Sequence, residues 1–463
     1  MRDKTRNFFT YIRSNPDLTL LQVMVLSLPF ERIPSFDIAF LTIRPSLLIG
    51  GVLILRALWL LVRARKLAKF PLEILLIGLF VLWIVLLVPV SINLSRAVQV
   101  VIYTAFTISV ALSIFYIWQK INSVSRRKVV LALYVAAIAT SIFGLYQYFG
   151  DFFGLGSAFT GLAERYSWKV FGFARVQSTG LEPLYFGSYL LMPTLILMNE
   201  ILYRKDTIPY SMAVLALFVT TLGLTLSRGA IYGLIGATLV TFFLSTIFRK
   251  KLKQSRLKKV VLAIIMGFLL SLACVQLFNR TPPTEGPTEG KKAAGAYVQQ
   301  LTNSGVEGAG DDRSRFRNKA INMVTSDINV LMFGIGPGQF GPYIQGVNAE
   351  GGWVIVNNLP LEILLETGVI GFLIMLTVII LVVRQTLVLL PKTDGHESYL
   401  LFGLLAYLFS QFVQAQTFST LYILHIWSAI GILLAVNYST KKSTQNSNTK
   451  RAQGRKHAAT TKP

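Results

Sequence analysis

Charged residues are scarce in this chain, and long apolar runs take their place. Only 14% of its 463 residues are Asp, Glu, Lys or Arg, whereas 53% are hydrophobic. So few charges cannot cover the surface of several soluble domains. Apolar runs of about 20 residues are long enough to cross the roughly 30 Å hydrocarbon layer of a membrane. The composition therefore predicts an all-α, polytopic membrane protein.

Cysteine and histidine are rare as well. The single cysteine, Cys274, lies in an apolar run, which excludes disulfide bonds and a thiolate metal site. The three histidines, His396, His425 and His457, are too scattered in the sequence to indicate a zinc site. We therefore expect neither a metal ion nor another cofactor.

Basic residues outnumber acidic ones, 45 to 21, which gives a formal net charge of +24. They concentrate in the short segments between apolar runs, as the positive-inside rule requires of cytoplasmic loops. The excess therefore indicates membrane orientation and contact with membrane lipids rather than nucleic-acid binding. Residues 1–17 are basic and lack a small-residue cleavage site, so they predict a retained cytoplasmic segment.

About twelve transmembrane helices are expected, with both termini in the cytoplasm and one large external loop between spans 9 and 10. This alternation leaves every clearly basic loop on the same side. The predicted divisions are residues 1–17 (cytoplasmic), 18–277 (spans 1–9), 278–358 (external loop), 359–437 (spans 10–12) and 438–463 (disordered basic tail). The predicted spans are 18–30, 46–62, 71–90, 96–118, 129–149, 181–202, 208–226, 230–248, 260–277, 359–383, 399–418 and 421–436.

Several arginines fall on the predicted outer face, against the orientation rule. The main candidates are Arg96, Arg175, Arg228 and Arg313. A guanidinium fork binds phosphate oxygens bidentately, as the departure of a diphosphate group requires. The alternative is contact with lipid headgroups or with nearby acidic residues. That alternative is weaker for Arg228, which lies in a tight turn between apolar segments.

Two further charged residues have two interpretations each. Glu182 lies at the outer mouth of the sixth span, where a half-dry carboxylate could take a proton from a sugar hydroxyl. Alternatively, it compensates the helix dipole beside Pro183. Arg56 lies near the middle of the second span, where it is either a structural partner or part of a polar cavity.

The glycine-rich run from Phe333 to Phe340 is not a phosphate-binding loop, because no Gly-Lys-Ser/Thr follows it. Its glycines predict tight backbone turns where the loop returns to the membrane.

Four stretches in this order resemble the O-antigen ligase/polymerase superfamily, multispan proteins that act on undecaprenyl-diphosphate-linked glycans at the outer membrane face. The stretches are Arg175 to Gly187, Leu226 to Gly229, Phe333 to Phe340 and Leu361 to Gly371. The resemblance implies metal-independent glycosyl transfer with inversion. Arg175 and Arg228, with Arg313, would hold the diphosphate, and Glu182 would be the base. Arg96 is a further candidate for substrate binding.

One departure bears on the reaction. Ligases of this family commonly have a His-Asn pair where this chain has Asn357 and Asn358. An amide is not a base near neutral pH, so we expect these residues to hydrogen-bond the sugar or acceptor. Glu182-Pro183 resembles the variant seen in many polysaccharide polymerases, so the sequence favours a polymerase over a ligase. A lipid-linked glycan flippase and an inactive relative remain alternatives.

Overall fold

The computed structural model describes residues 14–38, 41–64, 70–204, 206–248, 253–280, 309–347, 353–393 and 397–460. One short antiparallel hairpin, Phe36–Ile38 (β1) with Leu41–Ile43 (β2), accompanies the helices. The longer helices are Pro16–Ser27 (α1), Pro45–Ala64 (α2), Leu72–Leu86 (α3), Leu94–Trp118 (α4), Ser123–Phe152 (α5), Pro183–Tyr203 (α6), Ser211–Leu224 (α7), Arg228–Ile247 (α8), Gln254–Leu277 (α9), Ala309–Ser326 (α10), Ile328–Phe333 (α11), Phe340–Gln345 (α12), Leu359–Leu389 (α13), Ser398–Gln414 (α14) and Leu424–Thr460 (α15).

The helices agree with a polytopic membrane protein. In the described part of the chain, seven are long and apolar enough to cross a membrane, namely α2, α3, α4, α5, α8, α9 and α13. Three more, α1, α7 and α14, are apolar but shorter. Each of the twelve expected spans overlaps one helix, yet the number twelve stays a prediction.

Helix α6 is the centre of the bundle. Its residues from Phe186 to Leu202 are buried on every side, which is the pattern of a helix enclosed by other helices. Small residues allow the neighbouring helices to pack close to α6. A Cβ added at Gly187 would lie 2.9 Å from Ala230 Cβ of α8, and one added at Gly403 of α14 would lie 2.8 Å from Ile196 Cα. The site described below is built around the first turn of α6.

The loops that connect alternate helix ends gather at one end of the bundle, which we call the loop face. Main-chain N–H groups of one loop donate to another loop there, for example Arg32 to Thr179, Asn93 to Gln339, Arg280 to Gly172 and Leu359 to Ala415. Segments far apart in the sequence therefore form one continuous surface. Its described part includes pieces of the predicted external loop, folded as α10, α11 and α12; residues 281–308 lie outside the described ranges.

The opposite end, which we call the basic face, is held by ion pairs. Arg127 makes two hydrogen bonds to Glu200, whose side chain is 0% exposed. Arg126 Nη1 pairs with Glu397 Oε1 at 2.6 Å. These contacts fasten the start of α5 to α6 and to the start of α14.

Arg56 is a structural partner. Its Nε–H donates to Asp17 Oδ1 at 2.7 Å, and its guanidinium lies 4.5 Å from the centre of the Trp59 ring. The ion pair joins α2 to the start of α1. Of the two interpretations open from the sequence, the contacts support the structural one.

The glycine-rich run docks onto a break in α13. Gly368 has φ of +66°, so the helix is interrupted there. The carbonyl oxygens of Leu365 and Glu366 accept instead from the main-chain N–H groups of Ile335 and Gly336, both at 3.0 Å. Gly334, with φ of +80°, lies directly against this break. The run therefore has the architectural role that its glycines predict.

Replacing Gly368 by alanine is expected to destabilise the protein strongly. The backbone at φ of +66° and ψ of −178° is essentially restricted to glycine and alone costs an alanine about 1–3 kcal/mol. The added Cβ would also lie 2.2 Å from Met332 O. Gly346→Ala is the matched control, since Gly346 also has positive φ but nothing lies within 4 Å of an added Cβ. Thermal unfolding in detergent should show the larger loss for Gly368→Ala. Equal losses would mean that the contact between the glycine-rich run and α13 relaxes at little cost in stability.

Helix α15 extends beyond the predicted membrane span. Its backbone is helical to Thr460, whereas the sequence predicts disorder from residue 438. The residues past 438 include many Lys, Gln, Arg and Ala, which favour helix. Adding residues to an existing helix also avoids the cost of nucleation.

Candidate functional site

Arg175 lies against the turn between α7 and α8. Its Nε–H and Nη2–H groups donate to Thr225 O at 3.4 Å, and Nη2–H also donates to Leu226 O at 3.5 Å. These carbonyl groups follow the end of α7, where a helix leaves such groups without internal partners. The contacts hold Arg175 beside Arg228, the first residue of α8.

Four of the predicted site residues act on one another electrostatically: Arg175, Glu182, Arg228 and Arg313. Burial lowers the pKa of the Arg175 guanidinium most; Arg313 and Arg228 lower it further, whereas Glu182 raises it. Burial also lowers the pKa of Arg313, as does the charge of Arg228, and Glu182 again raises it. Three guanidinium groups and one carboxylate leave this group positive. Such an arrangement suits a ligand with several negatively charged oxygens.

Glu182 occupies the N-cap position of α6, followed by Pro183. Its Oε1 lies 3.2 Å from Arg165 Nη2, and its side chain is 41% exposed. This position is compatible with both predicted roles. The carboxylate lies at the positive end of the helix dipole, and it is also open to a ligand arriving from the loop face.

Asn357 and Asn358 hold the junction between loop and helix. Asn358 caps α13, because its Oδ1 accepts from Leu361 N–H at 3.0 Å, and its Nδ2 donates to Gln416 Oε1 at 3.1 Å. Asn357 has φ of 57°, a conformation that asparagine tolerates better than most residues. That Asn357 and Asn358 contact a sugar stays a prediction.

Arg96 belongs to a second group, together with Glu362 and Glu366 of α13. The three side chains line a cavity of about 80 Å³ whose wall also includes Trp353 and Tyr422. Glu366 and Glu362 face the same side of the helix because they are four residues apart. The sequence places both glutamates within a motif but indicates no role for them. It does not show that they precede a break in α13 or that Arg96 lies beside them.

Residues 415–423 connect the two groups. Ser419 Oγ accepts from Asn358 N–H at 2.9 Å. Thr420, which lines the cavity, has its Oγ1 at 3.0 Å from the hydroxyl of Tyr185. Tyr185 is in the first turn of α6, three residues after Glu182. A hydrogen bond between two side chains therefore links the first turn of α6 to the wall of the cavity.

A buried polar network lies one turn deeper in the bundle. His425 Nε2 lies 3.1 Å from Ser188 Oγ, which donates to Gln411 Oε1 at 2.7 Å. His425 Nδ1 lies 3.4 Å from Glu31 Oε1. These contacts join the end of α1 to α6, α14 and α15. The sequence could not indicate this network, because its members come from four separate segments.

The fold and the site define a polytopic membrane protein with a positive group of side chains at one end of its bundle. Over the described ranges, no three His, Cys, Asp or Glu side chains are placed to hold a metal ion. Residues 213–376 match the family model described as O-antigen ligase. This match confirms the resemblance to the O-antigen ligase-like superfamily. No curated protein matches the chain.

The matched residues include much of the site. They contain α8 with Arg228, helix α10 with Arg313, the glycine-rich run and the first part of α13 with its two glutamates. Arg96, Arg175, Glu182 and residues 415–423 lie outside the match. The family supports a membrane protein of the glycan ligase and polymerase type, without deciding between the two reactions.

Proposed function

We propose that this protein is a membrane glycosyltransferase that polymerises glycan repeat units carried on undecaprenyl diphosphate. The observation that carries the proposal is the positive group at the loop face, with Arg175, Arg228 and Arg313 around Glu182. A diphosphate is a ligand that such a group would recognise. A membrane enzyme that meets its donor in the lipid needs this group at a bundle end.

The reaction is a displacement at the anomeric carbon of the donor sugar. The acceptor hydroxyl oxygen forms a bond to that carbon, while the bond to the phosphate oxygen breaks and the diphosphate departs with the electron pair. The arginines stabilise the charge that develops on this leaving group. Glu182 takes the proton of the attacking hydroxyl. Attack from the opposite side of the ring inverts the configuration.

The loop face would be the outer side of the cytoplasmic membrane, with both termini inside. Basic residues near the other helix ends support this orientation through the positive-inside rule. They include Arg63, Lys120, Arg126, Arg127, Lys128, Arg204, Lys253, Arg256, Lys258, Lys259, Arg384 and Lys392. The lipid-linked donor would then enter the site from the outer leaflet.

A ligase that transfers the glycan to another acceptor is the second candidate. The family match favours it, since the family is described by that activity. Against it, Asn357 has an amide where ligases commonly have a histidine, and that amide donates to Ile355 O at 3.2 Å. We therefore rank the polymerase first.

Reconstitution tests the proposal. The purified protein in detergent, given only lipid-linked repeat units, is expected to produce longer lipid-linked chains without nucleotide or ion gradient. The same protein in vesicles provides the comparison. Repeat units that cross the vesicle bilayer without lengthening would instead indicate a flippase, and transfer to an added non-polymer acceptor would indicate a ligase.

A further inference from the structure

We propose that the cavity between Arg96, Glu362 and Glu366 binds the sugar that carries the attacking hydroxyl. This inference rests on the proposed glycosyl transfer, because it assigns the acceptor to a place beside the donor site. The ligand class is a hydroxyl-rich sugar ring. Two carboxyl groups and one guanidinium line the cavity, and together they offer acceptors and donors to ring hydroxyls.

The carboxylates are held by the main chain and keep oxygens available. Glu366 Oε2 accepts from Gly338 N–H at 2.7 Å and its Oε1 accepts from Phe340 N–H at 3.4 Å, whereas Glu362 Oε2 accepts from Val356 N–H at 3.2 Å. A carboxylate offers about four acceptor positions, so these bonds leave positions for ligand hydroxyls. Main-chain anchoring also fixes the direction in which the remaining acceptors point.

Arg96 adds a donor to the same cavity. Its Nη1–H donates to Gln99 Oε1 at 3.0 Å. A guanidinium carries five N–H donors, and the contact with Gln99 occupies only one of them. The cavity therefore offers both acceptors and a donor, as recognition of a hydroxyl-rich ring requires.

Aromatic side chains complete the wall. Trp353 and Tyr422 line the cavity, and Tyr422 also stacks on Tyr103 with ring centres 5.6 Å apart. Aromatic surfaces with a few fixed polar groups are typical of small-ligand sites. Trp353 is held close to the glycine-rich run, since a Cβ added at Gly341 would lie 2.7 Å from its Cβ.

The size and place of the cavity restrict what it can hold. A volume of about 80 Å³ suits the edge of one ring rather than an oligosaccharide chain. Thr420 of the cavity wall has its Oγ1 at 3.0 Å from the hydroxyl of Tyr185, three residues after Glu182. We therefore place the ring held by Glu362 and Glu366 on the side of the first turn of α6, with the rest of the acceptor extending from the loop face.

The test separates acceptor binding from the reaction. The probe is the free repeat-unit oligosaccharide released from its lipid by mild acid, and its binding to the full-length protein in detergent is measured by saturation-transfer NMR. Glu366→Gln is expected to weaken binding about tenfold or more, since an amide N–H₂ replaces an acceptor oxygen and leaves a ligand hydroxyl without its partner. Trp353→Leu should weaken it as well, and Trp353→Phe should restore much of it. Glu164→Gln, an exposed change in another loop, is the control.

Each outcome bears on the inference. Absence of oligosaccharide binding by the unmodified protein overturns it, as do unchanged affinities in Glu366→Gln and Trp353→Leu. If Glu366→Gln loses binding but the unmodified protein never lengthens chains, the subsite stands and the proposed polymerase fails. In a working enzyme, Glu366→Gln raises KM for the acceptor and leaves KM for the donor within about twofold.

Discussion

Replacing Arg228 by alanine is expected to stop chain growth and leave single repeat units on the lipid carrier. Arg228 begins α8, and its charge acts on both Arg175 and Arg313. Loss of one group that stabilises the leaving diphosphate should reduce kcat by about 10²–10³-fold. The length distribution of lipid-linked product on gels, with kcat from initial rates, measures the effect.

Arg317→Ala is the matched control for Arg228→Ala. Arg317 is an exposed arginine of α10, one helical turn from Arg313, so its replacement removes the same charge from the same face. Chain growth near the unmodified level in this variant would exclude a general effect of surface charge. Long polymer in Arg228→Ala would contradict the assignment of the donor site.

Replacing Arg127 by methionine is expected to cause the largest loss of stability. The change leaves Glu200, whose side chain is 0% exposed, as an uncompensated buried charge. Breaking a buried ion pair in this way costs about 3–5 kcal/mol. Equilibrium unfolding in detergent measures the loss, and Arg126→Met, which breaks the more exposed pair with Glu397, should cost less.

A double variant separates the ion pair from the residues that form it. Arg127→Met combined with Glu200→Leu removes both charges, and such replacements are often neutral or stabilising. We expect it to regain most of the stability lost by Arg127→Met alone. A double variant as unstable as the single one would mean that the pair is required for packing, for example through the bond from Tyr134 to Glu200.

Much of the fold follows from local sequence, because each apolar run forms a helix through hydrogen bonds within the run. The runs predict where helices lie, and the glycines between Phe333 and Phe340 predict the tight turns found there. The central position of α6 does not follow, since burial on every side depends on neighbours from other parts of the chain. The helical backbone after residue 438 does not follow either, because the polar composition of this segment predicts disorder.

The site could be predicted only in part. Arg175, Arg228 and Arg313 stand out in the sequence as basic residues on the outer side, against the orientation rule, and Glu182 stands out as a carboxylate at the mouth of a span. These four residues do act on one another electrostatically. Asn358 was expected to contact substrate, and its side chain caps α13. The cavity does not follow from the sequence, because Glu362 and Glu366 stand there only as part of a motif and have no evident partner. Their arginine partner lies more than two hundred residues earlier in the chain.

Residues 415–423 restrict how the sequence of this protein can change during evolution. They contact the cap of α13, the first turn of α6 and the cavity at the same time. An insertion or deletion there would displace donor and acceptor positions together. A change of sugar preference must therefore arise through side-chain replacement on a backbone of constant length. Relatives with different glycans should keep the length of this segment and differ in the residues around Trp353.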